Sequence, residues 1–376
     1  MSACPLCQSA AELLAENAVS VTSESKTLPA PSKLHLCAHC GHLFTTVDFD
    51  FDRYYAESYD STLTDDGMDE IVSTADGKVV YRTDFDFGLF QDKVLSRVAR
   101  DARIFELGAG RGRILSRLGK AGFTSLTAFE LGTRYREPLS ALIGDANVFI
   151  GERPTARQFD VLASFFVLEH DVDPCASLAY LRGVAAPGAK LYLMVPNFVS
   201  NAIDLACADH VHHFSAKTFA AVVEAAGFTI DEVDEQSSIG ALIVVATNRG
   251  AAPRALEPAH RAAEASRSAA APYLALRDRI AALASRAGDE RRLFLYGAGF
   301  YATLARAALA ARPIAGVFDA NKKKHGVLRF GKAVRDPAEI AHEDLSDAEL
   351  LICVNGAVSG AIRERFLPFF GHVACL

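Results

Sequence analysis

Three groups of residues combine side-chain type and spacing in a way that can do chemistry. The first is "ADHVHHFS", Ala208 to Ser215, which places three histidines and an aspartate in the five positions Asp209 to His213. Imidazole exchanges protons near its ordinary pKa of about 6.5 and also ligates metals. The stretch therefore reads as a general base with its supports, as a histidine-organised loop, or as a metal site of Asp209, His210 and His212. Metal ligands must converge from fixed directions, which five adjacent residues seldom do, so the third reading is disfavoured. The second group is two Cys-x-x-Cys knuckles, Cys4 with Cys7 and Cys37 with Cys40, separated by 29 residues. Two such pairs can close a tetrahedral thiolate site around a structural zinc ion, and four cysteines fill it without His39 or His42. The third group is "FELGAGRGRILSRL", where Gly108, Ala109, Gly110 and Gly112 join a strand containing Glu106 to a helix. Glycines let the backbone turn tightly and let a ligand approach it. Glu130 closes the next strand 22 residues after Gly108, where a carboxylate meets the two hydroxyls of a ribose.

The elements that must hold these groups alternate strand and helix from 101 to 247, the pattern of a parallel sheet covered by helices. "RIFEL", "LTAFE", "NVFI", "DVLASFF" and "KLYLMVP" read as five strands. "FTIDEVDE" and "ALIVVAT" follow as a final pair, and "QSSIG" between them is too short for a helical crossover, which makes that pair antiparallel. The histidine stretch comes after the fifth strand, at the carboxyl edge where open parallel sheets bind ligands. Ser215 is placed to cap a helix ending near Gly227. Between the cysteines and the sheet, residues 51–92 form an aromatic, acidic connector whose Tyr55 and Tyr59 could hydrogen-bond a polar ligand or merely anchor a surface segment. After Asn248 an Ala-, Arg- and Pro-rich linker becomes a helix with Leu276, Ile280 and Leu283 on one face. A second strand-glycine-helix unit then opens at "LFLYGAGFYATLARAAL", with Gly297, Gly299 and Asp319 repeating the 22-residue spacing. Asn355, after the "ELLICV" strand, falls at the same edge.

The 376 residues, half of them apolar, provide for two or three domains. Asp and Glu outnumber Lys and Arg by 46 to 39, a net charge of -7, which disfavours a nucleic-acid partner. No apolar run is long enough for a membrane span, and "MSACPLCQSA" lacks the basic region and apolar core of a signal peptide, so the chain reads as cytoplasmic. Eight cysteines then read as ligands or buried thiols rather than disulfides. The expected divisions are 1–50, zinc-binding; 51–248, the sheet with its connector; 249–290, linker and helix; and 291–376, a C-terminal unit.

Glycine-rich turns serve flavin, nicotinamide and S-adenosylmethionine sites alike. Glu106 at the foot of an E-x-G-x-G-x-G loop, however, resembles the first motif of class I S-adenosylmethionine-dependent methyltransferases. The likeness continues through "FDVLASFFVLEHDVDPCASLAYLRGVAAPGAKLYLMVPN" and covers about 101 to 247. It implies an α/β, Rossmann-like core whose seven-stranded sheet ends in an antiparallel strand. It implies that Glu106 and the loop glycines contact the amino-acid part of the cofactor, Glu130 its ribose, and Phe166 and Val167 the sulfonium side, with Glu169 and His170 in the turn after strand four. The order of knuckles, tyrosine-rich connector, methyltransferase core and C-terminal Rossmann-like unit is similar to that of the sugar C-methyltransferases acting on nucleotide-linked 4-keto sugars. That likeness implies His210 as the base, paired with Asp209, with Tyr55 or Tyr59 beside the substrate. Gly297, Gly299, Asp319 and Asn355 would then enclose the nucleotide end of the substrate rather than serve redox chemistry. Departures from that family are Cys207 in place of a tyrosine and Asp209 in place of a glutamate. O- or N-methylation of a sugar or secondary metabolite, a zinc-ribbon RNA methyltransferase and a nicotinamide oxidoreductase are the competing readings. Lys26 and Lys33 against Glu12, Glu16 and Glu24 give the knuckle segment little to grip RNA with.

Overall fold

Alternation along the central strands sorts their side chains onto two faces, each of which needs its own cover. In the computed structural model, which describes residues 2–59, 71–73, 79–238, 240–257, 261–286, 288–309 and 312–376, seven strands carry that alternation. They are β1 (Arg103–Leu107), β2 (Ser125–Glu130), β3 (Val148–Ile150), β4 (Phe159–Phe165), β5 (Ala185–Pro196), β6 (Thr229–Asp234) and β7 (Ala241–Thr247). They form one sheet in the order β3-β2-β1-β4-β5-β7-β6, parallel except that β7 runs antiparallel to both β5 and β6. Phe105, Leu162, Leu191, Leu193 and Val244 pack into a core that includes Leu178, Leu181 and Phe219 from the helices Pro174–Val184 and Ala216–Ala225. Ile104, Val161, Tyr192, Met194 and Ile243 face the opposite core, with Leu115 and Leu118 of the helix Arg113–Lys120 and Phe90 of Arg82–Lys93.

Packing divides the chain into two compact units, Met1–Glu16 with Lys33–Ala270, and Asn17–Ser32 with Ala271–Leu376. These units divide the chain at other positions than the expected 1–50, 51–248, 249–290 and 291–376. The cysteine-bearing strands Ser2–Ala3, Ala10–Asn17, Ser32–Cys37 and Leu43–Val47 do not close a domain of their own. A fifth strand, His212–His213, joins them from the chain after β5 by pairing with Phe44 and Leu43. The physical reason is area: short strands bury too little alone, and here Cys4, Cys37, Cys40 and Phe44 share one apolar cluster with Phe214 and Phe219. The segment between Cys7 and Cys37 is likewise split, its hairpin Ser20–Val21/Thr27–Leu28 packing with the helix Phe300–Ala308 of the second unit. The other boundary lies within the helix Ala262–Leu283, beside Pro272, which has no N–H to give the helical ladder.

The second unit has six strands in the spatial order Leu328–Arg329, Lys332–Arg335, Ile314–Phe318, Arg292–Tyr296, Leu345–Ile352 and Phe370–Cys375, all parallel except the first. Its buried Arg312 donates to Glu349 at 2.7 Å, and both are almost fully enclosed.

Candidate active site

The turn after β1 is shaped by backbone that only glycine adopts readily. Gly108, Gly110 and Gly112 have φ of +73°, +51° and +74°, and a Cβ on Gly108 would lie 2.3 Å from Cγ2 of Val167. That contact exists because Phe166, just after β4, itself holds a left-handed φ of +54°, a conformation that costs a non-glycine residue about 1–3 kcal/mol and clusters at functional sites. The amides of Gly108 and Ala109 donate to Phe129 O. Glu130 accepts from Gly110 N at 2.8 Å with one oxygen and from Leu131 N and Gly132 N with the other. Its carboxylate thus stands in the mouth of the loop, where ribose hydroxyls could take over these bonds.

Glu106 completes this side of the site. It is 3% exposed, and its Oε2 is buried without a hydrogen-bond partner. Burial first, then the charge of Glu130, push its carboxyl well above the usual range. A buried carboxylate oxygen lacking a partner beside an open glycine loop fits a ligand that brings a cation, such as an amino-acid ammonium. S-Adenosylmethionine suits the set on that ground: Glu106 for the ammonium, the loop for close backbone approach, Glu130 for the ribose.

The histidines assemble at the same carboxyl edge of the sheet, and three neighbouring segments hold them. Turns after β5 carry Asp204, Cys207, Asp209 and His210; the turn after β4 carries Glu169 and His170; a helical turn at Tyr54–Ser58 supplies Tyr55. His170 Nδ1 lies 2.9 Å from Asp209 O and 2.6 Å from the Tyr55 hydroxyl, which donates to Asp209 Oδ2 at 3.1 Å. A carbonyl only accepts, so Nδ1 of His170 carries its proton and Nε2 is left with a lone pair. Burial first, then the neighbouring His210, lower His170 to about 4. Its ring meets that of His210 edge-on at 4.7 Å. Glu169 is buried with neither oxygen hydrogen-bonded, and burial raises it to about 8. Tyr59 stacks edge-on against Tyr55 at 5.0 Å and lies 6.4 Å from the His170 ring.

The carboxylate on His210 is Asp204, not the Asp209 that the sequence suggested. Asp204 Oδ1 accepts from His210 Nδ1 at 2.5 Å and Oδ2 from His213 Nδ1 at 2.8 Å. Asp209 instead accepts from Tyr55 and from the Cys207 thiol at 3.2 Å. Burial alone would lower His210, but the Cys207 and Asp204 groups outweigh it and hold the imidazole well above its usual value. Because burial drives the Cys207 thiol itself far upward, it carries no charge near neutrality, and Asp204 is the anion responsible. One signal for it lay in the sequence: it is the single acidic residue between Asn197 and Cys207. His213 is fully buried and pairs with Thr45 Oγ1 at 2.9 Å, consistent with a loop-holding role. His212, for which the sequence suggested no task, bonds His42 at 2.9 Å. Ser215 caps the helix Ala216–Ala225 through a capping box with Thr218.

At the cysteines, Cys4–Cys40, Cys7–Cys37 and Cys7–Cys40 sulfurs stand 3.7, 3.5 and 3.6 Å apart, and all four thiols are free. Zn–S bonds of about 2.3 Å in a tetrahedron require sulfurs about 3.8 Å apart, so the cage has the dimensions of a zinc site. The residue after each knuckle, Gln8 or Gly41, turns through positive φ of 59° or 76°.

In the second unit Gly297 N donates to Phe318 O at 2.7 Å and Ala298 N to Asp319 Oδ2 at 2.8 Å. The pattern is similar to Gly108 with Phe129 and Gly110 with Glu130, except that the carboxylate is bound one residue earlier in the loop. A Cβ on Gly297 would lie 2.5 Å from Cys353 O. Asp319 also accepts from Asn321 N and lies 3.5 Å from Lys324 Nζ. Asn355 is exposed at the carboxyl end of Leu345–Ile352. A separate cleft lined by Lys93, Arg97, Arg103, Asp160 and Lys190 opens at the amino-terminal edge of the large sheet, the end opposite to the loops.

Residues 85–233 match a family model described as a methyltransferase domain. No curated protein matches the chain. Among solved structures, an S-adenosylmethionine-dependent methyltransferase from Mesorhizobium loti is 15% identical, with a TM-score of 0.35 over 43% of this chain and 99% of that one. The CcbJ methyltransferase from Streptomyces caelestis is 14% identical, with a TM-score of 0.36 over 46% and 89%. Both likenesses are distant; the domain match and the loop with its two carboxylates carry the assignment. Residues 85–233 are a class I S-adenosylmethionine-dependent methyltransferase domain, and the chain is a methyltransferase.

Proposed function

We propose that the acceptor is a small polar metabolite, a nucleotide-linked 4-keto sugar, methylated on the carbon next to its ketone, with His210 as general base. When bound, S-adenosylmethionine supplies a methyl group already activated on a sulfonium, so the chain has to add alignment and a proton acceptor. The supporting observation is the pair of adjacent imidazoles, His170 and His210, beside Tyr55 at the edge that carries the glycine loop. A proton next to a ketone is acidified enough for an imidazole to remove, and removal of a hydroxyl proton by the same His210 in O-methylation is the competing chemistry. His210 Nε2 takes that proton while Nδ1 keeps its own on Asp204. Tyr55, held by His170 and Asp209, orients the sugar. In the second unit, the loop at Gly297 and Gly299 with Asp319 and Asn355 is a nucleotide-binding loop in this reading, supported by its likeness to the loop at Gly108. A zinc ion on Cys4, Cys7, Cys37 and Cys40 is structural in this reading, and nucleic acid and membrane are not partners. Among the described residues no helix is long and apolar enough to cross a membrane.

A thermal-shift panel of nucleotide sugars with S-adenosylhomocysteine identifies the acceptor, and product analysis then looks for a new carbon–carbon bond. His210→Ala should bind the cofactor normally and lose about 10²–10⁴ in turnover. Because His210 is held above its usual pKa, the acid limb of the wild-type kcat/KM profile should lie above pH 6.5. A limb near pH 4 would transfer the base role to His170, and a product methylated on oxygen or nitrogen would remove the carbon-acid chemistry.

A further inference from the structure

We propose that Asp204 is the positioning carboxylate of this methyltransferase, fixing the tautomer and direction of His210, and that His213 and Thr45 lock Asp204 in place from the cysteine-bearing sheet. The inference rests on the reading of His210 as the base, but its geometry stands independently.

Asp204 is 6% exposed, and each of its oxygens has a histidine. Since a carboxylate only accepts, both His210 Nδ1 and His213 Nδ1 must carry protons. In the neutral form of His210 the lone pair is thereby confined to Nε2, the atom left for a substrate proton. A base whose other nitrogen is tied to a carboxylate cannot flip to the unproductive tautomer.

The second oxygen of Asp204 explains why the carboxylate itself stays put. His213 is enclosed completely, and its Nε2 accepts from Thr45 Oγ1 at 2.9 Å. Thr45 lies in the strand Leu43–Val47, which pairs with His212–His213, and its amide donates to Val211 O at 3.0 Å. The chain Thr45–His213–Asp204–His210 therefore runs from a hydrogen-bonded strand to the proposed base through three side-chain contacts of 2.9 Å or less. The other groups facing His210 are Cys207 and Asp209 on its own segment and Glu169 and His170 on the turn after β4, with Tyr55 directed at His170 and Asp209. The Cys207 thiol and the Asp209 carboxylate bond each other, which leaves Asp204 as the anion aimed at the ring.

The test is histidine-selective 13C and 15N NMR of the full chain with S-adenosylhomocysteine, titrated in pH, with His210→Ala identifying the signal. In the wild type His210 should titrate above pH 6.5 and, when neutral, show the Nδ1–H tautomer. In Asp204→Asn it should titrate about one to two pH units lower and show mixed tautomers, with cofactor affinity within about twofold. Once an acceptor is in hand, the acid limb of kcat/KM should move in the same direction, and kcat should fall about 10- to 100-fold. An unmoved His210 titration in folded Asp204→Asn overturns the proposal. So does a wild-type His210 in the Nε2–H form, which decides the matter should the variant not fold. If the titration moves as stated while His210→Ala retains full turnover, the base assignment fails and the positioning role of Asp204 stands.

Discussion

Replacing Glu106 by glutamine should make the empty protein more stable and its cofactor binding weaker, two effects with one cause. Glu106 is enclosed beside Glu130 with Oε2 unpartnered, so the fold without ligand favours its protonated form. Between the unfolded pKa near 4.5 and the higher folded value, the unfolded chain binds fewer protons. Stability therefore falls by about 1.4 kcal/mol per pH unit across that window, and the loss is complete once pH has passed through the folded pKa. Glutamine has no charge to bury and removes this slope. A bound ammonium reverses the balance, because a cation at Oε2 draws Glu106 back to its ionised form and releases a proton. A charge-assisted hydrogen bond contributes about 1.5–3 kcal/mol, so Glu106→Gln should weaken S-adenosylhomocysteine binding about 10- to 150-fold. Calorimetry in buffers of different ionisation enthalpy reads both the affinity and the proton released, and thermal melts from pH 5 to 9 read the slope. Cofactor affinity within twofold of wild type, or unchanged proton release, would refute the account.

Two further outcomes concern parts away from the loop. The purified protein should retain one zinc per chain, and Cys37→Ser should lose it and broaden the His212 and His213 signals; a metal-free wild type that melts unchanged on adding zinc would sink the assignment. Glu349→Leu should cost about 3–5 kcal/mol by removing the carboxylate that Arg312, which is 2% exposed, meets at 2.7 Å and leaving it Asp289 at 3.6 Å, whereas adding Arg312→Met should recover most of it, as chemical denaturation can show.

How much of this was legible in the sequence depends on whether a feature is local. The strand alternation, the glycine turn and the spacing from Gly108 to Glu130 each lie within a few dozen residues, and β1 and β2 carry them into the structure unchanged. The Ser215 cap is legible for the same reason. What failed to show is whatever depends on how separate segments meet. Asp209 adjoins His210 in sequence, but in a tight run of turns the neighbour's side chain points to Tyr55 and Cys207, and the residue six places back reaches the ring. Likewise no composition shift announces that His212 and His213 will extend the cysteine-bearing sheet. The left-handed Phe166 has no signal at all in residue type; only its contact partner, Val167 against Gly108, shows why the chain must bend there.

That two-residue strand also explains why a cysteine cage accompanies the site. His212–His213 makes too few ladder bonds to persist by itself, and its partner strand begins three residues after Cys40, joined to it across 170 positions of chain at His42 and His212. Ordering two such distant segments costs loop-closure and backbone entropy that a pair of short strands cannot offset. The contacts beyond the ladder supply the difference: Thr45 on His213, His42 on His212, and the Phe44 and Phe214 side chains in the common core. An ion on the four cysteines would fix the start of the Leu43–Val47 strand, and so reduce the entropy left for these contacts to offset. On this view the cage acts on His210 only through geometry, by holding Thr45 where His213 can anchor Asp204.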